Sequence, residues 1–370
     1  METRTTNERP ARISPYAAAP FLVFWELTRA CDLACRHCRA CAIPDRDPRE
    51  LSTDEGKALL RSIHEMGTPL VVLTGGDPAK RADLVELVRY GTEIGLRVAL
   101  TPSATPLVTT ELLTELRDAG LARLAVSLDA ATRGVHDGFR GVEGSHARTF
   151  QILRTARELG ITTQVNTSVT RFNKHELPFI AGNLAELGIE LWSVFFIVPT
   201  GRGADLACLD RDETEAILDW LATVAEQRVF DVKTTAAPHF RRVLLQRKFR
   251  HDDIVGLRDG IGRAVRGVND GQGVAFVSHI GEVYPSGFLP IACGDVRTEG
   301  LPAIYRDHPL FRSLREPEEL GGKCGVCEFR KVCGGSRARA YAVTGDPLAE
   351  DPACNYQPRL LDPARLRRVS

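Results

Sequence analysis

Between residues 21 and 198 one pattern recurs: an apolar run, a loop, an amphipathic segment and a glycine. The glycines have similar contexts (MGTPL, IGLRV, AGLAR, LGITT and LGIEL), and glycine suits the left-handed position that ends many helices. Their spacing is mostly about 30 residues, the length of one strand–helix–strand unit. The pattern predicts parallel strands alternating with helices, with any ligand at the carboxyl ends of the strands. The glycines are Gly67, Gly95, Gly120, Gly160 and Gly188.

The apolar runs are rich in Val, Leu, Ile and Phe, which is typical of parallel strands buried on both faces. A capping box of Ser52 and Glu55 predicts the start of the first helix, and residues 212–229 are predicted as the sixth. The predicted fold class is α/β, a partial (β/α)6 TIM-like barrel, with a doubly wound sheet as the alternative. The predicted strands are 21–28, 70–74, 97–101, 123–128, 163–170 and 192–198.

Charge and hydropathy exclude several classes of protein. The 48 basic and 48 acidic residues leave no basic excess for nucleic acid. No apolar run approaches the roughly 20 residues of a membrane helix, and the polar start does not resemble a secretory signal. We therefore expect a cytoplasmic protein. We predict a disordered tail (1–20), a core (21–230), a bridging region (231–273) and a Cys-rich domain (274–370) that begins with a hairpin, GVAFVSHIGEVYPSG.

Three of the ten cysteines, Cys31, Cys35 and Cys38, follow the first predicted strand closely. Clustered cysteines in a cytoplasmic chain indicate metal binding or redox chemistry. Three thiolates can hold three irons of a cubane cluster and leave the fourth iron open, whereas ordinary electron-transfer clusters use a fourth cysteine. A zinc knuckle with Cys41 as the fourth ligand is the alternative.

A second group near the carboxyl end is a complete set of four thiols. Four thiolates can close a 4Fe–4S cluster or form a zinc ribbon. Because the surrounding segment has little apolar sequence, we expect its stability to depend on the metal. Cys208 and Cys293 stand apart, and no role is assigned to them. The group consists of Cys324, Cys327, Cys333 and Cys354.

The C-x3-C-x2-C spacing resembles the signature of radical S-adenosylmethionine (SAM) enzymes. The resemblance implies a 4Fe–4S cluster on the first three cysteines, whose open iron binds SAM. It also implies a 5′-deoxyadenosyl radical that abstracts a substrate hydrogen, and a reductant such as flavodoxin or ferredoxin. GGDP at 75–78 resembles the family's GGEP loop, with Asp in place of Glu. The SAM-binding residues implied by the resemblance are Gly75, Gly76, Asp77, Pro78, Ser127, Asp129, Arg140, Asn166, Val198 and His37, and Thr101 and Ser103 stand at a similar strand end.

The segment CGVCEFRKVCGGSRARAYAVTGDPLAEDPAC resembles the SPASM-type auxiliary-cluster domain, which implies a second 4Fe–4S cluster. Within that group, CGGSRARAYAVTGD and YPSGFLP resemble the iron-coproporphyrin decarboxylase of heme synthesis and an enzyme of nitrite-reductase heme assembly. Ser286 stands where many such domains have a cysteine, so we expect a single auxiliary cluster.

These resemblances favour an enzyme that oxidatively decarboxylates or remodels the side chain of a carboxylated tetrapyrrole. The auxiliary cluster would accept the electron that remains after CO2 is lost. Arginine binds carboxylates well, so a basic patch is a candidate for the substrate carboxylates. The alternatives are a peptide-modifying SPASM enzyme, oxidation of another small carboxylated metabolite, and a non-enzymatic Fe–S or zinc scaffold. No catalytic residue is assigned; the basic patch comprises Arg241, Arg242, Arg247 and Arg250.

Overall fold

The structure is a computed structural model that describes residues 14–251 and 267–361. Ten strands of these residues form one sheet in the order β10-β9-β8-β1-β2-β3-β4-β5-β6-β7. The strands are β1 Leu22–Glu26, β2 Leu70–Thr74, β3 Arg97–Leu100, β4 Arg123–Ser127, β5 Thr163–Val169, β6 Leu191–Phe196, β7 Asp231–Thr235, β8 Val274–Val277, β9 Glu282–Tyr284 and β10 Gly294–Asp295.

The helices follow the strands in alternation through most of the chain. A hydrogen-bonded Ser52–Glu55 capping box starts the first helix, as predicted. The helices are α1 Thr53–Glu65, α2 Leu84–Glu93, α3 Thr110–Asp118, α4 Arg133–Arg140, α5 Ser145–Glu158, α6 Leu177–Leu187, α7 Arg211–Glu226, α8 His239–His251, α9 Leu301–Asp307, α10 Pro309–Leu314, α11 Gly322–Val326 and α12 Arg337–Thr344.

The parallel repeat predicted from the sequence is confirmed. All six predicted strands occur, and each neighbouring pair from β1 to β6 is parallel. The five repeated glycines have φ between 66° and 93°, which a residue with a Cβ rarely adopts. Glycine therefore lets each helix end within a residue or two and return the chain to the sheet.

The repeat continues one unit further than the sequence suggested. The region predicted as a bridge contains β7, which pairs parallel to β6, and α8. The sequence of β7 is DVKTT, and a strand was not predicted there because most of its side chains are polar. The rest of that basic stretch, residues 252–266, lies outside the described residues, as does the side chain of Arg250.

The carboxyl-terminal part is hydrogen-bonded into the same sheet. The predicted hairpin forms β8 and β9, and β8 also pairs parallel to β1, with Leu22 opposite Val274. Residues 14–20 form a turn whose Tyr16 is buried, and Tyr305 donates a hydrogen bond to the Tyr16 carbonyl at 2.8 Å. Residues 1–13 of the predicted tail and 362–370 lie outside the described residues.

The main core lies between the sheet and its helices. Trp25 of β1 and Trp192 of β6 are fully buried there. Gly56 of α1 allows the close approach of Trp25, because a Cβ at this position would lie 2.5 Å from the indole ring. Within the described ranges, no helix combines the length and the apolar character that crossing a membrane requires.

Candidate active site

A cavity of about 440 Å³ extends along the side of the sheet that faces away from this core. Its wall includes residues from the starts and the carboxyl ends of the parallel strands, together with the three-Cys loop. Most of the predicted SAM-binding and cluster residues meet there, whereas Asp77, Pro78 and Asp129 lie behind the wall. The predicted residues that line the cavity are Cys31, Cys35, His37, Cys38, Gly75, Gly76, Ser127, Arg140, Asn166 and Val198.

The loop presents three thiols to the cavity, not four. Backbone amides of Leu33 and Ala42 lie 3.3 Å from the Sγ of Cys31 and 3.5 Å from the Sγ of Cys38, a geometry that stabilises a thiolate. Cys41 is exposed and is not among the residues that line the cavity. In residues 14–251 and 267–361, no three Cys, His, Asp or Glu side chains form a group that could hold a single metal ion. The three thiols at the cavity wall are thus the candidate ligands of the loop.

The loop after β6 fixes the position of the three-Cys loop. The Arg202 amide donates to the Cys38 carbonyl at 3.0 Å, and Arg202 Nε donates to the Cys35 carbonyl at 3.0 Å. Gly201 has φ 56°, and a Cβ there would lie 2.7 Å from the same Cys38 oxygen. Glycine is thus required for a close backbone approach that the linear sequence did not reveal.

The GGDP loop joins the ends of three strands. The amides of Gly76 and Asp77 donate to the carbonyls of Thr28 and Ala30, each at 2.7 Å. The buried Asp77 carboxylate accepts hydrogen bonds from the Thr105 hydroxyl at 2.6 Å and the Ser103 amide at 3.2 Å. Burial raises the pKa of Asp77 against these hydrogen bonds. Asp77 therefore acts from behind the cavity wall, as a link between loops.

Polar residues at the strand ends line the cavity, and one of them, Ser103, contacts a loop thiol. The Ser103 hydroxyl donates to the Gly76 carbonyl at 2.8 Å and lies 3.4 Å from Cys31 Sγ. Thr101 also lines the cavity. Asn166 of β5 is oriented by Gln164, whose amide donates to Asn166 Oδ1 at 2.7 Å. Ser103, suggested by its strand-end position, is thus as close to a loop thiol as any residue taken from the SAM motif.

A buried ion pair places a positive charge beside the loop. Arg140 contacts the Asp129 carboxylate at 2.6 Å, and its Nη1 lies 3.7 Å from Cys35 Sγ. Asp129 also accepts the Ser168 amide at 2.7 Å, which fixes the carboxylate. Burial raises the pKa of the Cys35 thiol, and the guanidinium opposes that effect. Arg140 is therefore held where it stabilises negative charge on a bound cluster or on a carboxylate ligand.

His37 has a ring nitrogen at the cavity that forms no hydrogen bond with any described residue. Its ring stacks on Phe139 with centroids 4.4 Å apart and an angle of 11° between the planes. Burial, together with Arg140 and Arg202, lowers the pKa of His37 well below its ordinary value, so the imidazole is neutral. Its buried Nδ1 has no hydrogen-bond partner among the described residues. The site therefore fits a ligand that brings its own polar group, as SAM does.

The second cysteine group surrounds a smaller pocket in the carboxyl-terminal module. Arg337 Nη2 and the Asp351 amide lie 3.6 and 3.4 Å from Cys324 Sγ, and the Gly335 amide lies 3.5 Å from Cys333 Sγ. A Cβ at Gly335 would lie 3.0 Å from Cys324 Sγ, so glycine leaves room for the sulfur. The four thiols that line this pocket are Cys324, Cys327, Cys333 and Cys354.

Charged residues that sequence reasoning missed support this pocket. His239 Nε2 lies 3.1 Å from the buried carboxylate of Asp351, which Arg339 also contacts at 3.3 Å. Burial alone would lower the pKa of His239, but Asp351 and Cys354 raise it to about 9. No local spacing in the sequence connects His239 with Cys354. Cys208 is half-buried elsewhere, and the buried Cys293 donates to the Ile291 carbonyl at 3.5 Å.

Among the arginines whose side chains are described, the basic patch suggested for substrate carboxylates does not form. Arg242 is buried in an ion pair with Glu215, and Arg247 pairs with Asp219 of α7. Arg241 alone among those with described side chains lines the large cavity. Successive positions on a helix point in different directions, so these arginines could not share one surface.

The parallel α/β sheet and its three-thiol loop define a class of enzyme. The model of the radical SAM superfamily matches residues 25–180. The chain belongs to this superfamily, whose members use a 4Fe–4S cluster and SAM, and it is an enzyme.

Individual relatives extend over nearly the whole chain. An "AdoMet-dependent heme synthase" of Nitratidesulfovibrio vulgaris is 41% identical over 368 residues, which cover 99% of this chain and 100% of that protein. A "PqqA peptide cyclase" of Rhodopseudomonas palustris is 31% identical over 359 residues, covering 95% of this chain and 91% of that protein. The resemblance to heme-pathway radical SAM enzymes is thereby confirmed, and peptide-modifying enzymes are relatives as well.

A solved structure confirms the fold class. Streptococcus suis SuiB bound to S-adenosylmethionine aligns with a TM-score of 0.72 and 16% identity, over 92% of this chain and 78% of that chain. At this identity the similarity concerns the fold. The fold is the α/β arrangement with a parallel sheet, and β10 and β7 are the two edges of the described sheet.

Proposed function

We propose that this radical SAM enzyme oxidatively decarboxylates, or otherwise remodels, a carboxylate-bearing side chain of a tetrapyrrole. The observation that carries the proposal is the charge of the cavity wall, where basic residues outnumber acidic ones in otherwise largely apolar surroundings. An apolar macrocycle with several carboxylates matches such a wall. The basic residues are Arg39, Arg97, Arg123, Arg140, Lys233 and Arg241, and the acidic ones are Asp231 and Asp270.

The similarity to a heme synthase supports the same class of substrate. The volume of about 440 Å³ lies within the range of pockets that bind small molecules. Aromatic side chains in the wall, among them Phe24, Phe195 and Phe288, provide apolar surface for a flat ring system.

The chemistry is divided between the two cysteine groups. When bound by Cys31, Cys35 and Cys38, the first cluster and SAM supply a radical that removes a hydrogen atom β to the substrate carboxylate. The bond to the carboxylate carbon then breaks, CO2 leaves, a vinyl double bond forms and one electron remains. The four-Cys group, holding a second 4Fe–4S cluster, is the acceptor of that electron.

The protein's own residues bind, orient and shield these groups. Arg140, fixed by Asp129, holds a positive charge next to the loop thiol of Cys35. His37 on Phe139 offers a flat face and a neutral nitrogen to the nucleoside part of SAM. The loop at Gly75, Gly76, Asp77 and Pro78 and the strand-end residues Ser127, Asn166 and Val198 complete the SAM site.

The remaining expectations extend this proposal to the whole chain. Residues 21–230, extended by β7 and α8 of the region predicted as a bridge, serve as the radical SAM core, and 274–370 serve as the auxiliary-cluster domain. A reductant such as flavodoxin or ferredoxin supplies the electron for SAM cleavage, and the protein acts in the cytoplasm.

The test is turnover of iron coproporphyrin under anaerobic conditions. The reconstituted enzyme, given dithionite and SAM, should release 5′-deoxyadenosine and a product lighter by CO2 and a pair of hydrogens, measured by mass spectrometry. Cys31→Ala should form neither. Formation of 5′-deoxyadenosine without any change in the tetrapyrrole would refute the proposed substrate.

A peptide substrate is the second candidate, because the PqqA peptide cyclase aligns with 95% of this chain. The two candidates are distinguished by whether the enzyme binds iron coproporphyrin. A peptide substrate predicts no change in the absorption spectrum of iron coproporphyrin on mixing with the enzyme, whereas a tetrapyrrole substrate predicts a shifted and saturable absorption band.

A further inference from the structure

The large cavity and the four-Cys pocket share a wall. Arg241, Asn269 and Asp270 line the cavity, and Cys333 lines the smaller pocket on the other side. The Arg241 Nη1 donates to the carbonyl of Val332, the residue before Cys333, at 2.7 Å. The two sites are therefore separated at this point by little more than one layer of side chains.

Several contacts fix this wall. Asn269 Nδ2 donates to the carbonyls of Cys333 and Gly335 at 3.2 and 2.8 Å. Asp270 Oδ2 accepts the Ala338 amide at 2.9 Å, at the start of α12. Arg241 Nη2 donates to the Val268 carbonyl. The guanidinium thus cannot move away from the Cys333 loop without breaking contacts on both sides.

The chemistry of the guanidinium allows it to act on both sites. Each Nη carries two N–H groups, and the two carbonyl contacts use one on each, so the fork can also bind a carboxylate in the cavity. Its positive charge stabilises added negative charge on an auxiliary cluster bound through Cys333. The pKa of Arg241 is lowered by burial, and the nearby Cys333 thiol opposes that effect.

We propose that Arg241 holds one carboxylate of the substrate against the shared wall and, by the same charge, raises the reduction potential of the auxiliary cluster. This inference rests on the proposed function and names the residue that connects substrate binding with electron transfer to the auxiliary cluster. Arg241 is in this sense a positioning residue: it places the carboxylated side chain next to the group that takes the electron.

Two other arginines, Arg242 and Arg97, provide matched controls. Arg242 is buried against Glu215 at 2.5 Å and lines the four-Cys pocket, away from the cavity. Arg97, at the start of β3, lines the cavity on a strand remote in sequence from the cysteine group. Arg242→Gln should leave the affinity for iron coproporphyrin unchanged. Arg97→Gln should leave the reduction potential of the auxiliary cluster unchanged.

The experiment measures both quantities in the full-length chain. Cys31, Cys35 and Cys38 are replaced by alanine so that the electron paramagnetic resonance signal of the auxiliary cluster can be titrated alone. Iron coproporphyrin binding is followed by absorbance, and iron and sulfide are determined for every variant. We expect Arg241→Gln to weaken binding by roughly tenfold or more and to make the potential more negative. Arg241→Lys keeps the charge without the fork, so it should restore much of the potential but little of the affinity.

The outcomes separate this inference from the proposed function. Failure of the wild-type chain to bind iron coproporphyrin would refute both. Wild-type binding that is unchanged in Arg241→Gln, or a potential that is unchanged in that variant, would overturn the role of Arg241 and leave the proposed function intact. If Arg241→Gln fails to retain the cluster, the test uses Arg241→Lys instead. An affinity of that variant for iron coproporphyrin equal to the wild-type affinity also overturns the proposal.

Discussion

Replacement of Gly76 by alanine tests whether close backbone contact holds the GGDP loop in place. A Cβ at Gly76 would lie 2.4 Å from the Ala30 carbonyl oxygen and 2.6 Å from that of Arg29. Both are main-chain atoms, so the loop after β1 or the loop after β2 must move. Overpacking of this kind costs about 1–3 kcal/mol. The shift also strains the bonds from Gly76 to Thr28 and from Asp77 to Ala30, each worth about 1 kcal/mol.

We expect Gly76→Ala to lower the free energy of unfolding by about 2–4 kcal/mol, measured by urea denaturation of the cluster-free chain. Gly182→Ala is the control: it lies in α6, nothing stands within 4 Å of its added Cβ, and we expect it to stabilise the helix by about 0.5–1 kcal/mol. Reconstituted Gly76→Ala should also bind less iron, because the loop after β1 carries the three cysteines. Equal urea midpoints for the two variants would refute the reasoning.

Three further predictions follow from the two cysteine groups and a buried histidine. Cys354→Ala should abolish turnover of the tetrapyrrole yet still release 5′-deoxyadenosine, as measured by chromatography; wild-type turnover would contradict an auxiliary cluster that accepts the electron. Cys41→Ser should keep the iron content of the wild-type chain, because Cys41 is exposed and does not line the cavity; loss of one cluster would show that it is a ligand. His136 accepts the Asp129 amide at 3.1 Å, and burial lowers its pKa to about 4 from 6.5. Between pH 6.5 and pH 4 the unfolded chain therefore binds a proton that the folded chain does not. The free energy of unfolding should therefore decrease as the pH is lowered through this range, by up to about 1.4 kcal/mol per pH unit. His136→Gln should reduce that slope in urea titrations, and an identical slope in the variant would count against a neutral buried His136.

Most of the first six strands could be predicted because their side chains are largely apolar, and a glycine ends the helix before each of β2 to β6. The strand β5, TQVNTSV, is largely polar, and the glycine before it, Gly160, is the local signal for it. The same reasoning missed β7, which borders the cavity and has only one apolar residue, Val232, among its five. The apolar pattern reports burial in a core, so it weakens where a strand faces a ligand site.

The thiols of the site could be predicted because their ligand spacing is local in sequence. Contacts between distant loops could not: Gly201 against Cys38, and His239 against Asp351, follow from the packing of separate elements. Arg97 and Arg123 carried a signal that was overlooked, since each begins a strand whose next residues are apolar and both line the cavity. A charged residue at that position of a buried strand indicates a wall that faces a ligand.

The pairing of β1 with β8 has a consequence for synthesis of the protein. The strand before the three-Cys loop, β1, pairs along one edge with β8, which is synthesised late in translation. In a nascent chain that has emerged only as far as α8, this edge of β1 is unpaired. An unpaired strand edge can pair with another polypeptide and cause aggregation. We therefore expect insertion of iron and sulfide to follow release from the ribosome, with both cysteine groups filled on a chain that is already complete.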